Sequence, residues 1–418
     1  MTDIKKRTDA YRVYLFLSFT STALFAIGFP MTLYEATTAA LDPLQLVLVG
    51  TSLELSVLLF EVPTGVIADV FSRRLSIIIG HFLIGMGLII ESLFPSFLPI
   101  LLAQVVWGIG YTFTSGATQA WLSDEIGEER ANRAMLTASR YGLTGALVGV
   151  LAATALGSFT TIAVPIFFSG AARLLLAVML IFLMVERNFK PAKPEERSTF
   201  QHMGDTFRKG LRTIRRRPAL LAILGVGLFY GLYSDGYDRL WIKHLLDRFD
   251  LPRLFGNNEL AFFGVLEGIA VLLSILLTRW AEKRFDTGQP RTIGRLMLGI
   301  TAGIAVSIAA FAWSPFLGLA LALYLVTNSL RDLASPLMAA WMNQRLDPDV
   351  RATVLSMIGQ VDAVGQITGG PAIGALGRVV SLPLAISLCG GLLAPALAFI
   401  RRANRHTHAT QVRDDETC

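Results

Sequence analysis

Apolar runs about twenty residues long recur through this 418-residue chain. A run of that length, coiled at about 1.5 Å per residue, spans the ~30 Å hydrocarbon layer of a bilayer. About twelve can be marked, at 12–34, 44–68, 75–93, 97–121, 135–157, 162–185, 218–243, 259–280, 293–313, 316–340, 353–377 and 382–400. They are far too long for the strands of a membrane barrel and lack its period of two. The expected fold class is therefore an all-α integral membrane protein with 12 transmembrane helices. Charged residues make up 16% of the chain and apolar ones 53%, against about a quarter charged in a soluble domain.

The net charge of +6 is placed in a way that argues against nucleic acid as a partner. Basic residues collect at alternate loops: Lys5, Lys6, Arg7 and Arg12; Arg73 and Arg74; Arg130 and Arg133; 187–217; Lys283, Arg284 and Arg291; Arg345 and Arg351; Arg401, Arg402 and Arg405. The intervening loops hold none, except for Lys243, Arg248 and Arg253 together and Arg378. Basic loops stay in the cytoplasm, so both termini are expected there, in a multi-pass protein of the inner (plasma) membrane. The first run is too long for a cleaved leader and has no small-residue cleavage site. Of the two cysteines, Cys389 lies in an apolar run and Cys418 is the last residue, so no disulfide framework is expected. The five His (His81, His202, His244, His406 and His408) are scattered, so neither a metal site nor a cofactor is expected.

Between the second and third runs lies Gly65-Val66-Ile67-Ala68-Asp69-Val70-Phe71-Ser72-Arg73-Arg74. An acid and two bases cannot remain in hydrocarbon, so this turn marks a membrane exit. The pattern Gly-x-x-x-Asp-x-x-x-Arg-Arg, with Phe60-Glu61-Val62-Pro63-Thr64-Gly65 before it, closely resembles the loop between helices 2 and 3 of the major facilitator superfamily of secondary transporters. Val70 stands where the family often has a base, and Ser72 where it usually has glycine. The resemblance implies two six-helix halves with a site at midplane between them. It also implies a gating role for Gly65, Asp69, Arg73 and Arg74, with Glu61 beside them. Arg140, in the first turns of run 5, is expected to pair with Asp69 or another loop carboxylate.

An internal echo agrees with that architecture. Ala120-Trp121-Leu122 precedes Arg133-Ala134, and Ala340-Trp341-Met342 precedes Arg351-Ala352, about 220 residues on. Glu54 precedes Ala68-Asp69 at the spacing by which Glu267 precedes Ala281-Glu282. The expected domains are an N-terminal half at 1–186, a cytoplasmic linker at 187–217, a C-terminal half at 218–402 and a tail at 403–418. The linker stretch Phe207–Ile214 reads as a short helix on the membrane surface.

Ionisable residues inside apolar runs are costly and face a cavity or a partner. Glu54 and Glu61 share a face of run 2, and Glu267 sits at the depth of Glu54 in run 8. Asp235, Asp238 and Arg239 share a face of run 7, near its outer end, and read as an outer gate or helix break. Arg331 and Asp332, adjacent in run 10, point about 100° apart, so at least one needs a partner on another helix. The repeat aligns them with Tyr111 and Thr112. Asp362 and Gln366 share a face of run 11, ahead of Gly369-Gly370-Pro371, which predicts a kinked, closely packed helix. The stretch Gln104-Val105-Val106-Trp107-Gly108 is similar to the helix-4 pattern of proton-coupled drug exporters, where an arginine usually takes the place of Gln104. Arg173, mid-run in run 6, reads only as an inward-facing pair.

The substrate and proton-site candidates are thus Glu54, Glu267, Arg331, Asp332, Asp362, Gln104 and Tyr111. The five charged ones are expected to converge on one cavity. Glu54 is the preferred proton carrier; Asp332 is ranked lower because Arg331 beside it would hold it ionised. The expectation is a monomeric transporter, not an enzyme. It would export a small amphipathic molecule through the lipid bilayer by proton antiport and alternating access. The alternatives are nutrient uptake by proton symport, and a lipid flippase or non-transporting protein on the same fold.

Overall fold

The computed structural model describes residues 2–191, 218–254, 258–285, 290–343 and 348–415. The linker stretch Phe207–Ile214 lies outside the described residues. The described chain is helical and shows no strand. Its helices are α1 (Thr2–Ile27), α2 (Met31–Thr37), α3 (Pro43–Val70), α4 (Arg73–Leu93), α5 (Phe97–Thr114), α6 (Ala117–Ile126), α7 (Glu128–Phe159), α8 (Ala163–Leu183), α9 (Pro218–Arg248), α10 (Leu260–Arg284), α11 (Pro290–Ala312), α12 (Leu317–Asn343), α13 (Pro348–Val379) and α14 (Leu382–Asp415).

Two apolar runs are each built from a pair of these helices. A turn at Gly28–Pro30 separates α1 from α2 within the span Ala10–Thr37, and Ser115-Gly116 separates α5 from α6 within Phe97–Ile126. The twelve segments of the sequence reading therefore correspond to fourteen helices. Ten segments are long and apolar enough to cross a membrane. The other two are α12 and α13, which carry Arg331, Asp332 and Asp362. Helix α13 continues through Pro371, and α14 runs on past its apolar part to Asp415.

The chain forms two compact units. The first comprises Met1–Leu41, Ser52–Phe200 and Leu251–Val265; the second comprises Asp42–Thr51, Gln201–Asp250 and Leu266–Cys418.

In the first unit small residues set the helix spacing, because helices in lipid gain from close backbone approach rather than from burial out of water. A Cβ at Gly145 would collide with the Phe19 carbonyl, and one at Gly149 with that of Ala23, so α7 lies directly on α1. Ser18 Oγ donates to Ala138 O at 2.9 Å across the same contact. Gly85 and Gly170 meet backbone to backbone where α4 crosses α8, each Cβ position 2.8 Å from the other's carbonyl oxygen. Gly127 begins α7 with φ of 83°, a conformation that favours glycine.

In the second unit Gly231, Gly365 and Gly369 play the same part between α9 and α13. The Trp echo has a structural counterpart inside each unit. Trp121 and Trp341 are fully buried. The Trp121 indole donates to Val185 O at 2.7 Å, just past α8, and that of Trp341 to Asn404 Oδ1 at 3.4 Å on α14.

The bases that broke the alternation of charge are matched locally. Lys243 lies 3.3 Å from Asp247, Arg253 3.1 Å from Glu259 and Arg378 3.6 Å from Asp42. Arg248 donates to Ser314 O at 3.0 Å.

A polar face at membrane depth

In the second unit, α9, α10 and α12 bring most of its candidate residues together. Arg331 donates through both terminal nitrogens to Asp238, at 2.5 and 2.7 Å, a two-pronged pair between α12 and α9. The buried rings of Tyr233 and Tyr237 lie 5.7 and 5.5 Å from the guanidinium carbon. Asp332 turns to another helix and accepts from Ser274 Oγ of α10 at 2.6 Å. Glu267, two turns before Ser274, accepts from Tyr324 Oη at 2.5 Å, and Tyr324 stacks on Trp241 at 4.1 Å between ring centres. Asp362 accepts from Gln366 on its own helix, at 2.9 Å.

Three sequence readings are corrected here. Helix α9 runs unbroken through Asp235, Asp238 and Arg239, so there is no helix break. Asp238 is the partner of Arg331, while Asp235 is buried near Arg239 (3.8 Å) and accepts from Thr51 Oγ1 (3.4 Å). Both terminal nitrogens of Arg331 go to Asp238, while its neighbour Asp332 turns to Ser274. The i, i+3 spacing of Asp235 and Asp238 showed a shared face but not which helix would meet each residue.

In the first unit, Glu54 is half-buried and Glu61 exposed on α3. Tyr111, half exposed, lies within electrostatic range of both, and Ser115 Oγ is 3.5 Å from Glu61 Oε1. Gln104 is not on that face. It is fully buried and donates to Glu91 Oε2 at 2.8 Å, tying α5 to α4. Glu91, embedded in the third run, is a group that the sequence reading passed over. Arg173 is buried between helices, with one nitrogen 3.5 Å from His81 Nδ1 and another donating to Ser21 O at 3.2 Å.

The sequence reading of Gly65–Arg74 as one turn is corrected: Gly65–Val70 end α3 and Arg73-Arg74 begin α4, leaving only Phe71-Ser72 between them, and the junction is held chiefly by acids that the motif does not contain. Arg73 donates to Asp124 Oδ2 of α6 at 2.5 Å and more weakly to Asp69 at 3.5 Å. Ser72 caps α4, accepting from Leu75 N–H at 2.9 Å while its hydroxyl donates to Glu186 at 2.5 Å. Glycine at that position could do neither. The Arg74 N–H donates to Glu186 at 3.0 Å. Arg140 is exposed, and the expected pair with Asp69 is not formed.

Asp69→Asn removes only the longer of the two Arg73 contacts, so its stability cost is expected to stay within the ~0.2–1 kcal/mol of an exposed pair. If Asp69 serves switching, this variant slows transport several-fold and leaves substrate affinity within about twofold. Equal losses in equilibrium binding and transport rate, at normal expression, would end the gating role.

Ten segments long and apolar enough to cross a membrane, packed through glycines within two units, define a polytopic membrane protein. A profile of the Major Facilitator Superfamily matches residues 13–370, and the chain belongs to that family. It is 25% identical over 378 residues to the uncharacterized MFS-type transporter YxaM of Bacillus subtilis strain 168, covering 88% of this chain and 90% of YxaM. The fold is similar to that of the nucleoside transporter NupG (TM-score 0.71, 16% identity, 94% and 98% of the two chains). It is also similar to that of a bacterial homolog of the human lysosomal transporter Spinster (TM-score 0.69, 15% identity, 94% and 97%).

Proposed function

We propose that this member of the superfamily is a proton-coupled secondary transporter in the plasma membrane, with both termini cytoplasmic, that exports a small amphipathic molecule by antiport and alternating access. One observation supports the coupling most directly. Glu267, Asp332 and Asp362 stand in long helices, and each is met by a neutral donor: Tyr324, Ser274 and Gln366. An ionised carboxylate at mid-membrane costs about 2.5–3.5 kcal/mol even on insertion scales. A carboxylate without a base beside it is stabilised by taking up a proton or by facing water, and an antiporter needs groups that do both in turn.

Glu54 is proposed as the carrier in the first unit, with Glu267 as its mate in the repeat. Uptake by symport is the second reading. The Arg331–Asp238 pair favours it, since an anionic substrate that took Arg331 would leave Asp238 to bind a proton.

A resistance screen in a sensitive bacterial host first identifies an exported compound. In proteoliposomes, Glu54→Gln should then abolish accumulation driven by an imposed pH gradient while retaining exchange at equal pH. Full pH-driven transport in Glu54→Gln removes Glu54 from the mechanism. Wild-type transport without any proton flux ends proton antiport itself.

A further inference from the structure

We infer that the second unit carries a further binding site, for a small organic oxyanion of the carboxylate or phosphate class, in a cavity where α9 and α13 end and α14 begins. It stands apart from the polar face and is independent of the direction and coupling of transport. Arg248, in its wall, lies ten residues beyond Asp238 on α9, about 15 Å along the axis.

The cavity measures about 510 Å³ and its charged lining is Lys243, Asp247 and Arg248 of α9, Arg378 of α13 and Asp42 ahead of α3. Pro43 and Leu382 add apolar wall. That is the size and mixed lining of a small-molecule pocket. Its three bases belong to the set of four, with Arg253, that breaks the alternation of charge along the chain. Loops between the basic ones are otherwise free of Lys and Arg, so the meeting of three such exceptions at one hollow calls for a reason. A base in a last helical turn does complement the helix dipole. That use accounts for a charge at each helix end and not for their convergence from α9 and α13 on a shared cavity.

The bases are matched only in part, since three of them face two acids. Asp42 Oδ1 is committed to the start of α3, accepting from Leu44 and Gln45 N–H at 2.9 and 3.0 Å. Its other oxygen is 3.6 Å from Arg378 Nε, beyond hydrogen-bond reach. Arg248 uses Nε on Ser314 O. Among the described residues, the terminal nitrogens of both guanidinium groups take no hydrogen bond or ion pair. Each group therefore offers a planar fork that matches the oxygens of a carboxylate or phosphate. His244 stands in the same wall with its ring against Phe311, and its buried Nε2 has no hydrogen-bond partner among the described residues. A cation finds no acid left over, because Asp42 serves α3 and Asp247 lies 3.3 Å from Lys243.

The probes are citrate and inorganic phosphate, titrated by calorimetry into the purified full-length protein in neutral detergent, with ionic strength held constant by sodium chloride. At least one of them is expected to bind at one equivalent per chain. Arg248→Gln and Arg378→Gln should each weaken that binding about tenfold. Arg248→Lys and Arg378→Lys keep the charge but lose the fork, and should recover only part of the loss. Arg253→Gln removes a base outside the cavity lining and should leave the affinity within about twofold. Unchanged melting temperatures keep a folding defect from imitating this result.

A second arm reads the source of the oxyanion. If neither free anion binds, mass spectrometry of lipids retained by the purified protein decides. Phosphatidylglycerol at one equivalent per chain, lost from the double variant Arg248→Gln with Arg378→Gln and kept in Arg253→Gln, assigns the site to a lipid headgroup. The absence of both a bound free anion and a retained anionic lipid overturns the inference. So does full affinity in the double variant, or an equal loss in Arg253→Gln, which would reduce the effect to net charge.

Discussion

Arg331→Ala is expected to eliminate transport and to lower the stability of the second unit. The substitution leaves Asp238 without the two hydrogen bonds that now hold it at 2.5 and 2.7 Å. If Asp238 stays ionised at that depth, the penalty approaches about 2.5–3.5 kcal/mol, roughly a hundredfold in an equilibrium constant. The Asp238 side chain is 47% exposed within the chain, so water on this face would bring the penalty below that limit. Asp238→Asn is expected to do comparable damage by stranding the guanidinium between Tyr233 and Tyr237. The double variant Arg331→Ala with Asp238→Asn should recover most of the lost stability, because removing both charges of a pair costs far less than removing one. Melting temperatures in detergent for the four proteins give the coupling energy directly. Additive losses in the double variant would show that the pair is not a unit.

The legible and illegible parts of this chain divide on physical grounds. Helices in hydrocarbon must satisfy their own backbone, so run length alone announced the spans. The Trp121 and Trp341 echo was readable because a large buried side chain with a single donor recurs in both units, although the acceptors differ: a backbone carbonyl at Val185 and a side-chain amide oxygen at Asn404. What failed was azimuth and partner choice. Adjacent Arg331 and Asp332 imply a partner on another helix, but nothing in the sequence names Asp238 and Ser274 as those partners. A run of helix states which face a residue shares and nothing about the helix opposite. Gln104 was weighed as a site residue by analogy, and its actual partner, Glu91, sat unnoticed in an otherwise apolar run. Buried polar atoms are almost always paired. A lone glutamate and a lone glutamine in neighbouring apolar runs were therefore a readable signal for each other.

The turn shows the same division. Gly65 to Arg74 could be recognised as a unit, while its holding partners, Asp124 and Glu186, are distant in sequence and outside the pattern. Ser72, a departure from the family pattern, turns out to be the helix cap.

Gly365→Val is expected to be strongly disruptive in the second unit, where Gly231, Gly365 and Gly369 all meet backbone between α9 and α13. A Cβ at Gly365 would lie 2.5 Å from Leu228 O, 2.8 Å from Leu232 N and 3.0 Å from Gly231 C. All three are backbone atoms of α9, so no rotamer change relieves the clash, and one helix must move. Overpacking of ordinary cores costs about 1–3 kcal/mol; a clash on rigid backbone belongs at or above the top of that range. The consequence reaches the polar face. Gly231 sits directly on the Asp362 backbone, and Asp238 lies two turns along the same side of α9. Prising α9 from α13 therefore displaces Asp238 from Arg331 along with Asp362. Gly365→Val should express poorly and, where it is recovered, lose binding as well as stability. Gly299→Ala is the control, because nothing lies within 4 Å of its Cβ position, and it should melt within a degree or two of wild type. A Gly365→Val protein with wild-type melting and transport would show that the close contact of α9 and α13 does not position the site.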